Sequence, residues 1–283
     1  MANEIGVTEV TAVAQDLIAS VVQDVLKQKS VLLPTIMDYS AFATAGAKSV
    51  AIPKRAQFAS ANKAENTDLT AQEMLFTADK IDLNKHKAIY AKLERIAGIE
   101  SNVNVQNEIL VEMANELALQ VDKDIIVQLK LASAVAPDHI LDYVDSIGNV
   151  IAQSDILNAR MLLNIQKVGM QDRFMVISPL KEREMLSIAD FVRADAYGSA
   201  QGLINGELGR IYGFTVLMHT ELGVNDSLFY HKSSCAFARQ LSTEYATNFE
   251  LKSVSQEYLL HHLYGTKVLD AGVRQVYYNG TGA

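Results

Sequence analysis

Residues 99–130 read IESNVNVQNEILVEMANELALQVDKDIIVQLK. Ile99, Val103, Leu110, Ala114, Leu117, Val121, Ile125 and Leu129 recur at steps of three, four and seven. Steps of that kind place them on one side of an α-helix. The stripe runs over about thirty residues, or roughly 45 Å. Ser101, Asn102 and Asn104 offer N-caps, and Pro137 bounds the far end. Across residues 94–130 there are seven carboxylates and three basic side chains, a net charge of -4. The segment is a long acidic spine.

The stretch before it has the opposite character. Lys48 to Pro53 is a short β run, and Met74 to Leu93 alternates at period two through Ile81, Leu83, Ile89, Ala91 and Leu93. Between them residues 59–72 are small and polar. Together they predict a long hairpin with a soft tip, which is marginal alone and must lie against something. Lys48, Lys54, Arg55, Lys63, Lys80, Lys85, Lys87 and Lys92 outnumber Glu65, Asp68, Glu73, Asp79 and Asp82, for a net charge of +3. A basic hairpin beside an acidic spine, each long and thin, is an odd pairing for a self-contained monomer.

Outward from this pair, Val10 to Leu26 predicts an amphipathic helix, with Gln15, Asp16, Gln23 and Asp24 on its polar face. Residues 136–240 predict a small α/β domain. A helix starts at Ser154 or Asp155, Arg173 to Ser178 is a buried strand, and Ser178-Pro179 opens a helix to about Ile188. A turn near Gly206 and Gly209 precedes a strand from Ile211 to His219. Thr243 to Tyr278 is β-rich.

The whole chain has 283 residues, 49% hydrophobic and 20% charged, with a net charge of -8 and one cysteine. This length supports a core without metal or disulfide staples. Cys235 alone forms no internal disulfide, which fits a reducing compartment, and zinc sites with two cysteines are excluded. No apolar run reaches the roughly 18 residues of a membrane span. With no basic residue before Lys27, no secretion signal is expected, and the chain reads as soluble and cytoplasmic. The largest basic cluster, Lys85-His86-Lys87, is too small for a sequence-reading DNA binder. An acidic chain this apolar points to surface buried between subunits.

Catalytic, cofactor and metal residues are expected to be none. His261 and His262 are adjacent, so on a strand they face opposite ways. His219 and His231 lie in β runs without a nearby acidic triad spacing. There is no His-Glu-x-x-His, P-loop or Gly-x-Ser-x-Gly pattern, and Gly206, Gly209 and Gly213 are too loosely spaced for a dinucleotide fingerprint. Asp122 with Asp124, and Glu182 with Glu184, read as solvated helix faces. Cys235 reads as a small buried hydrophobe, and Tyr258, Tyr264, Tyr277 and Tyr278 as sheet packing.

Three phrases, taken in order, carry a resemblance: residues 172–179 (DRFMVISP), 208–216 (LGRIYGFTV) and 264–272 (YGTKVLDAG). With the order of parts around them, the chain resembles a major capsid protein of a tailed bacteriophage, with the Hong Kong 97-type capsid fold. The resemblance implies an α+β chain in five parts: an N-terminal arm (1–43), an extended hairpin loop (44–93), a peripheral-domain spine helix (94–137), an axial domain (138–240), and peripheral β-strands returning to the axial domain (241–283). It implies no enzyme activity and no cofactor. It further implies self-assembly as pentamers and hexamers into an icosahedral shell around double-stranded DNA, inside the host bacterial cytoplasm. A separate scaffolding protein and a portal are the expected partners, with no membrane and no sequence-specific DNA binding.

Within that picture the hairpin lies over a neighbouring subunit, and its basic charge meets an acidic spine across the interface. Reversing Lys85 and Lys87 to Glu is then expected to leave the subunit folded and lower assembly yield. Members that crosslink use a hairpin lysine and a neighbour's asparagine, for which Lys63 and Asn248 are of the right type. Two other readings stay open: an encapsulin-type bacterial compartment shell, and a small cytoplasmic α/β enzyme built on residues 138–240.

Overall fold

The spine helix lies across a four-stranded sheet, and the alternating residues of that sheet fill the seam. The computed structural model describes residues 30–44, 46–55, 76–96, 105–135, 137–145, 148–187 and 209–280, with isolated positions between 60 and 71. The helix expected at residues 10–26 lies outside the described residues. In chain order come β1 (Met37–Asp38), β2 (Ser49–Arg55), β3 (Phe76–Asp82), β4 (Lys85–Glu94) and the spine α1 (Val105–Leu129). Next are β5 (Ile140–Leu141), α2 (Gln153–Ile165), β6 (Arg173–Ile177), α3 (Pro179–Leu186), β7 (Arg210–Ile211) and β8 (Phe214–Met218). The chain closes with β9 (Ser227–His231), β10 (Cys235–Glu250), β11 (Ser255–Val268) and β12 (Gln275–Tyr278).

The strands form three sheets, in the orders β1-β10-β11-β4, β5-β12-β9-β6-β8-β7 and β2-β3. In the first, Tyr258 and Leu260 of β11 and Leu93 of β4 pack on Met113 and Leu117 of α1, as period-two strands with one buried face must. Lower on α1, Val121, Ile125 and Leu129 join Tyr230, Phe237 and Tyr264. The buried stripe uses Met113, while Ala114, one step round the helix, is exposed. The six-stranded sheet encloses the second core, where Met175 and Ile177 of β6 meet Leu162 and Leu163 of α2, Phe229 of β9 and Tyr278 of β12. Ser178 caps α3 by accepting from the Lys181 backbone N–H at 3.4 Å, with Pro179 in the first turn.

Two expected segments are cut differently. The hairpin closes at Asp82: β2 and β3 pair over Ser49–Arg55 and Phe76–Asp82, whereas β4 turns away and pairs with β11 from Lys85 to Glu94. Ile89, Ala91 and Leu93 are claimed by the spine, which is why residues 85–93 belong to its sheet. The strand expected from Ile211 to His219 is present as β8 from Phe214 to Met218, but a two-residue hairpin turn splits off its start. Tyr212 and Gly213, at φ 46 and 90, turn the chain between β7 and β8. Positive φ at both central positions matches the tight turn whose twist suits adjacent strands.

Candidate assembly surfaces

The redrawn hairpin moves the charge. Residues 49–82 hold four basic side chains against five acidic ones, so the basic excess resides in β4 and beside it. There it is used within the chain. Lys85 Nζ donates to Thr266 Oγ1 at 2.8 Å and lies 3.4 Å from Asp124 Oδ2 on α1. Lys92 is buried and pairs with Glu250. At Lys85 the basic charge of β4 meets the acidic spine inside one subunit, where the sequence reading expects the two to meet across subunits. Adjacent strands and a helix laid over them bring these groups together without a neighbour.

The expected solvated carboxylates are also drawn inward. Asp122 is fully buried and accepts from Ser30 Oγ and the Val31 backbone N–H, both at 2.8 Å. Asp124 accepts from Tyr264 Oη at 2.6 Å. Glu184 accepts from the Ile151 backbone N–H at 3.1 Å and from Lys181 Nζ at 3.0 Å. Each satisfies a donor from a distant part of the chain, as a buried carboxylate must. Their spacing in sequence carries no sign of this, because the partners are 91 to 140 residues away for Asp122 and Asp124.

His219 is the other half of that junction, with Nε2 3.3 Å from Asp122 Oδ2. Serine, aspartate and histidine thus converge where the arm, the spine and β8 meet. The order is wrong for nucleophilic catalysis: Ser30 donates to the carboxylate at Oδ1, and His219 meets the same carboxylate at Oδ2. A relay needs the imidazole between hydroxyl and carboxylate. The arrangement ties three elements together.

The remaining candidates are apart. His262 is buried edge-on to Tyr264, while His261 lies partly buried on the opposite face of β11 beside His86, their rings 5.4 Å apart. His231 Nδ1 lies 2.8 Å from Ser233 Oγ. Among the described residues no cluster of three or more metal-ligating side chains occurs. Cys235 is buried, and burial pushes its thiol up to about 12, so it is inert. Tyr258, Tyr264 and Tyr278 are buried, and burial raises the hydroxyl pKa of each. Gly206 lies outside the described residues. Asn248 donates to Glu257 Oε2 at 3.1 Å on an exposed strand, so a carboxylate is present but the surroundings are wet.

Two glycines fix how the hairpin joins the body. A Cβ on Gly265 of β11 would stand 2.2 Å from the Asp82 carbonyl oxygen at the hairpin base. One on Gly272 would stand 2.3 Å from the Leu131 carbonyl oxygen beyond the spine, and Gly272 has φ +76. Asp270, just before it, pairs with Lys54 of β2 and Arg274, and its backbone N–H donates to Asp79 Oδ2 at 3.2 Å. Hairpin, spine end and β12 approach are locked at one corner.

Exposed apolar side chains gather in bands. Leu157, Met161 and Ile165 form a stripe at intervals of four on α2, continued by Met170. Val127, Leu131 and Val135 extend from the spine's end, and Tyr245, Phe249, Leu251 and Val254 crowd the β10–β11 tip. Exposed apolar side chains at helical spacing, as on α2, are the kind of surface that contacts with other chains cover.

The fold recurs in phage particles. A Mycobacterium phage Che8 structure matches with a TM-score of 0.72 and 19% identity, over 91% of this chain and 93% of that one. A cyanophage Pam1 capsid asymmetric unit matches with a TM-score of 0.73 and 11% identity, over 90% and 93%. The cyanophage P-SCSP1u capsid structure gives 0.72 and 12%, over 89% and 88%. At such identities the likeness establishes the fold, the Hong Kong 97-type capsid architecture. No curated protein matches the chain. The family model described as phage capsid protein matches residues 77–238, more than half of the sequence. The chain belongs to the phage capsid protein family.

Proposed function

We propose that this chain is a major capsid subunit whose role is structural, assembling as pentamers and hexamers into an icosahedral shell around double-stranded DNA. The observation that carries the reading is the β2–β3 hairpin. Val50 and Ile81 seat its base against Ala236, Ala238 and Leu269, while Ala51, Pro53, Lys54, Thr77, Ala78 and Lys80 are exposed. A two-stranded ribbon of that kind is marginal alone and gains its second face from a neighbour. In this reading the hairpin covers an adjacent subunit, the six-stranded domain with its α2 stripe packs around the symmetry axes, and the arm reaches along the shell. A separate scaffolding protein and a portal complete assembly in the host cytoplasm.

The net charge of -8 supports a container for nucleic acid, since acidic walls leave packaged phosphate free to slide. Purified protein, with and without a co-expressed scaffold, is to be run in sedimentation velocity. Particles hundreds of times the subunit mass are expected. A chain that remains monomer or dimer under every assembly condition overturns the proposal, and shells that hold a cargo enzyme in place of DNA point to the compartment reading.

A further inference from the structure

The spine helix and the four-stranded sheet leave a gap at one end. A cleft of about 160 Å³ lies there, walled by Leu117 and Val121 of α1, by Phe237, Arg239 and His262 of the sheet, and by Leu33. Most of the lining is apolar, and the strand register explains the polar pair. Arg239 of β10 stands opposite Tyr264 of β11, and His262 is two residues along β11 from that tyrosine. Alternation therefore puts Arg239, His262 and Tyr264 on one face of the sheet, the face that packs Tyr264 against the spine.

Both polar residues are short of partners. His262 is 4% exposed, and among the described residues its Nε2 has no hydrogen-bond partner. A buried polar atom in that state costs free energy until something satisfies it. Arg239 spends its backbone N–H on Ser40 Oγ at 3.0 Å, and among the described residues its guanidinium has no carboxylate partner. Two carboxylates of the neighbouring spine are already engaged. Asp122 holds Ser30 Oγ and the Val31 N–H, and Asp124 accepts from Tyr264 Oη at 2.6 Å. Burial lowers the pKa of His262 and the Arg239 charge lowers it further, so at neutral pH a neutral ring sits beside an uncompensated cation.

The apolar walls and the two donors define the occupant. A guanidinium presents paired N–H groups that fit a carboxylate, and an imidazole with its hydrogen on Nε2 donates to one of the same oxygens. An apolar cavity of about 150 Å³ holds a single benzene ring. An acid of that body size fills this cleft, whereas acetate leaves the apolar wall uncovered and a long-chain fatty acid is too large.

We propose that the cleft binds a small free monocarboxylic acid with an apolar body of about six carbons, its carboxylate held by Arg239 and His262 Nε2 and its body against Leu33, Leu117, Val121 and Phe237. The bound acid ties α1 to β10 and β11 within one subunit and does not depend on shell formation.

The test uses the full chain, dissociated, with benzoate as the probe in calorimetric titration at neutral pH. One benzoate per chain is expected, with half-saturation below about 1 mM. Benzamide keeps the ring and loses the charge, and acetate keeps the charge and loses the ring; each should bind at least tenfold more weakly. Histidine labelled with nitrogen-15 locates the site: the Nε2 resonance that is missing from His262→Gln should shift when benzoate is added to the parent chain. Arg239→Gln should weaken benzoate at least tenfold and remove its preference over benzamide, a pattern that unfolding does not produce. No saturable benzoate binding, equal affinity for benzamide, or bound benzoate that leaves the His262 resonance in place each overturn the proposal. A His262 resonance that moves with protein concentration and not with benzoate also overturns it, because the acid group then comes from a second copy of the chain.

Discussion

His219 Nε2 lies 3.3 Å from Asp122 Oδ2, and neither side chain is exposed by more than one per cent. The same carboxylate holds Ser30 Oγ and the Val31 backbone N–H, so one side chain joins the arm, the spine and the six-stranded domain. Removing a buried acceptor strands its donors, which costs more than the hydrogen bonds themselves contribute. Asp122→Ala should therefore lower subunit stability by about 3 kcal/mol, and Asp122→Asn by less because one oxygen remains. Urea denaturation midpoints check both; unchanged midpoints exclude a structural role for the junction.

Gly265 admits the hairpin base. A methyl group there meets the Asp82 carbonyl oxygen at 2.2 Å, and backbone cannot rotate aside as a side chain does. Gly265→Ala is expected to cost about 2 kcal/mol or more, and to open the β3–β4 corner first. Hydrogen exchange resolves this: faster exchange at Ile81 and Leu83 with the β10–β11 ladder unchanged is the predicted pattern.

The sequence already contains the spine and most of the strands, because burial on one face imposes a period that survives in the residue types. Two things were not legible. The pairing of β4 depends on whether Ile89, Ala91 and Leu93 find a partner in β3 or in α1, and alternation is the same either way. The interior role of Asp122, Asp124 and Glu184 depends on donors brought in by the fold, so local spacing reads them as surface. Tyr212, at φ 46, gives no signal of its turn beyond the glycine that follows it.

Lys85 and Lys87 should behave differently. Lys85 is half-buried against Asp124 and Thr266, so Lys85→Glu places like charges together and should destabilise the subunit by about 1–2 kcal/mol after allowing for solvent screening. Lys87→Glu should change stability by less than about 0.5 kcal/mol. Thermal unfolding of the separate variants decides the point. Equal effects contradict the assignment of the basic charge to β4 and its intrachain contacts.

Two histidines should make stability fall on mild acidification. Burial lowers the pKa of His262, helped by Arg239 and His86 and opposed by Asp124. Burial also lowers that of His231, helped by Arg274 and Arg173 and opposed by Asp172. With folded values below the unfolded value of about 6.5, the unfolded chain takes up protons first as pH falls. Their contribution is complete above that value and is lost as the pH drops below it, until the folded imidazoles protonate too. Urea midpoints measured from pH 7.5 to 5.5 should decline, and His262→Gln should flatten the slope. A midpoint that rises on acidification contradicts the sign.

The most direct test of the capsid account is a cryo-electron microscopy reconstruction of particles assembled from the purified chain. The account predicts closed icosahedral shells of pentamers and hexamers, in which the β2–β3 hairpin lies over a neighbouring subunit and the α2 stripe of Leu157, Met161 and Ile165 is covered. Particles that lack icosahedral symmetry, or a hairpin folded back on its own subunit with that stripe facing solvent, contradict it.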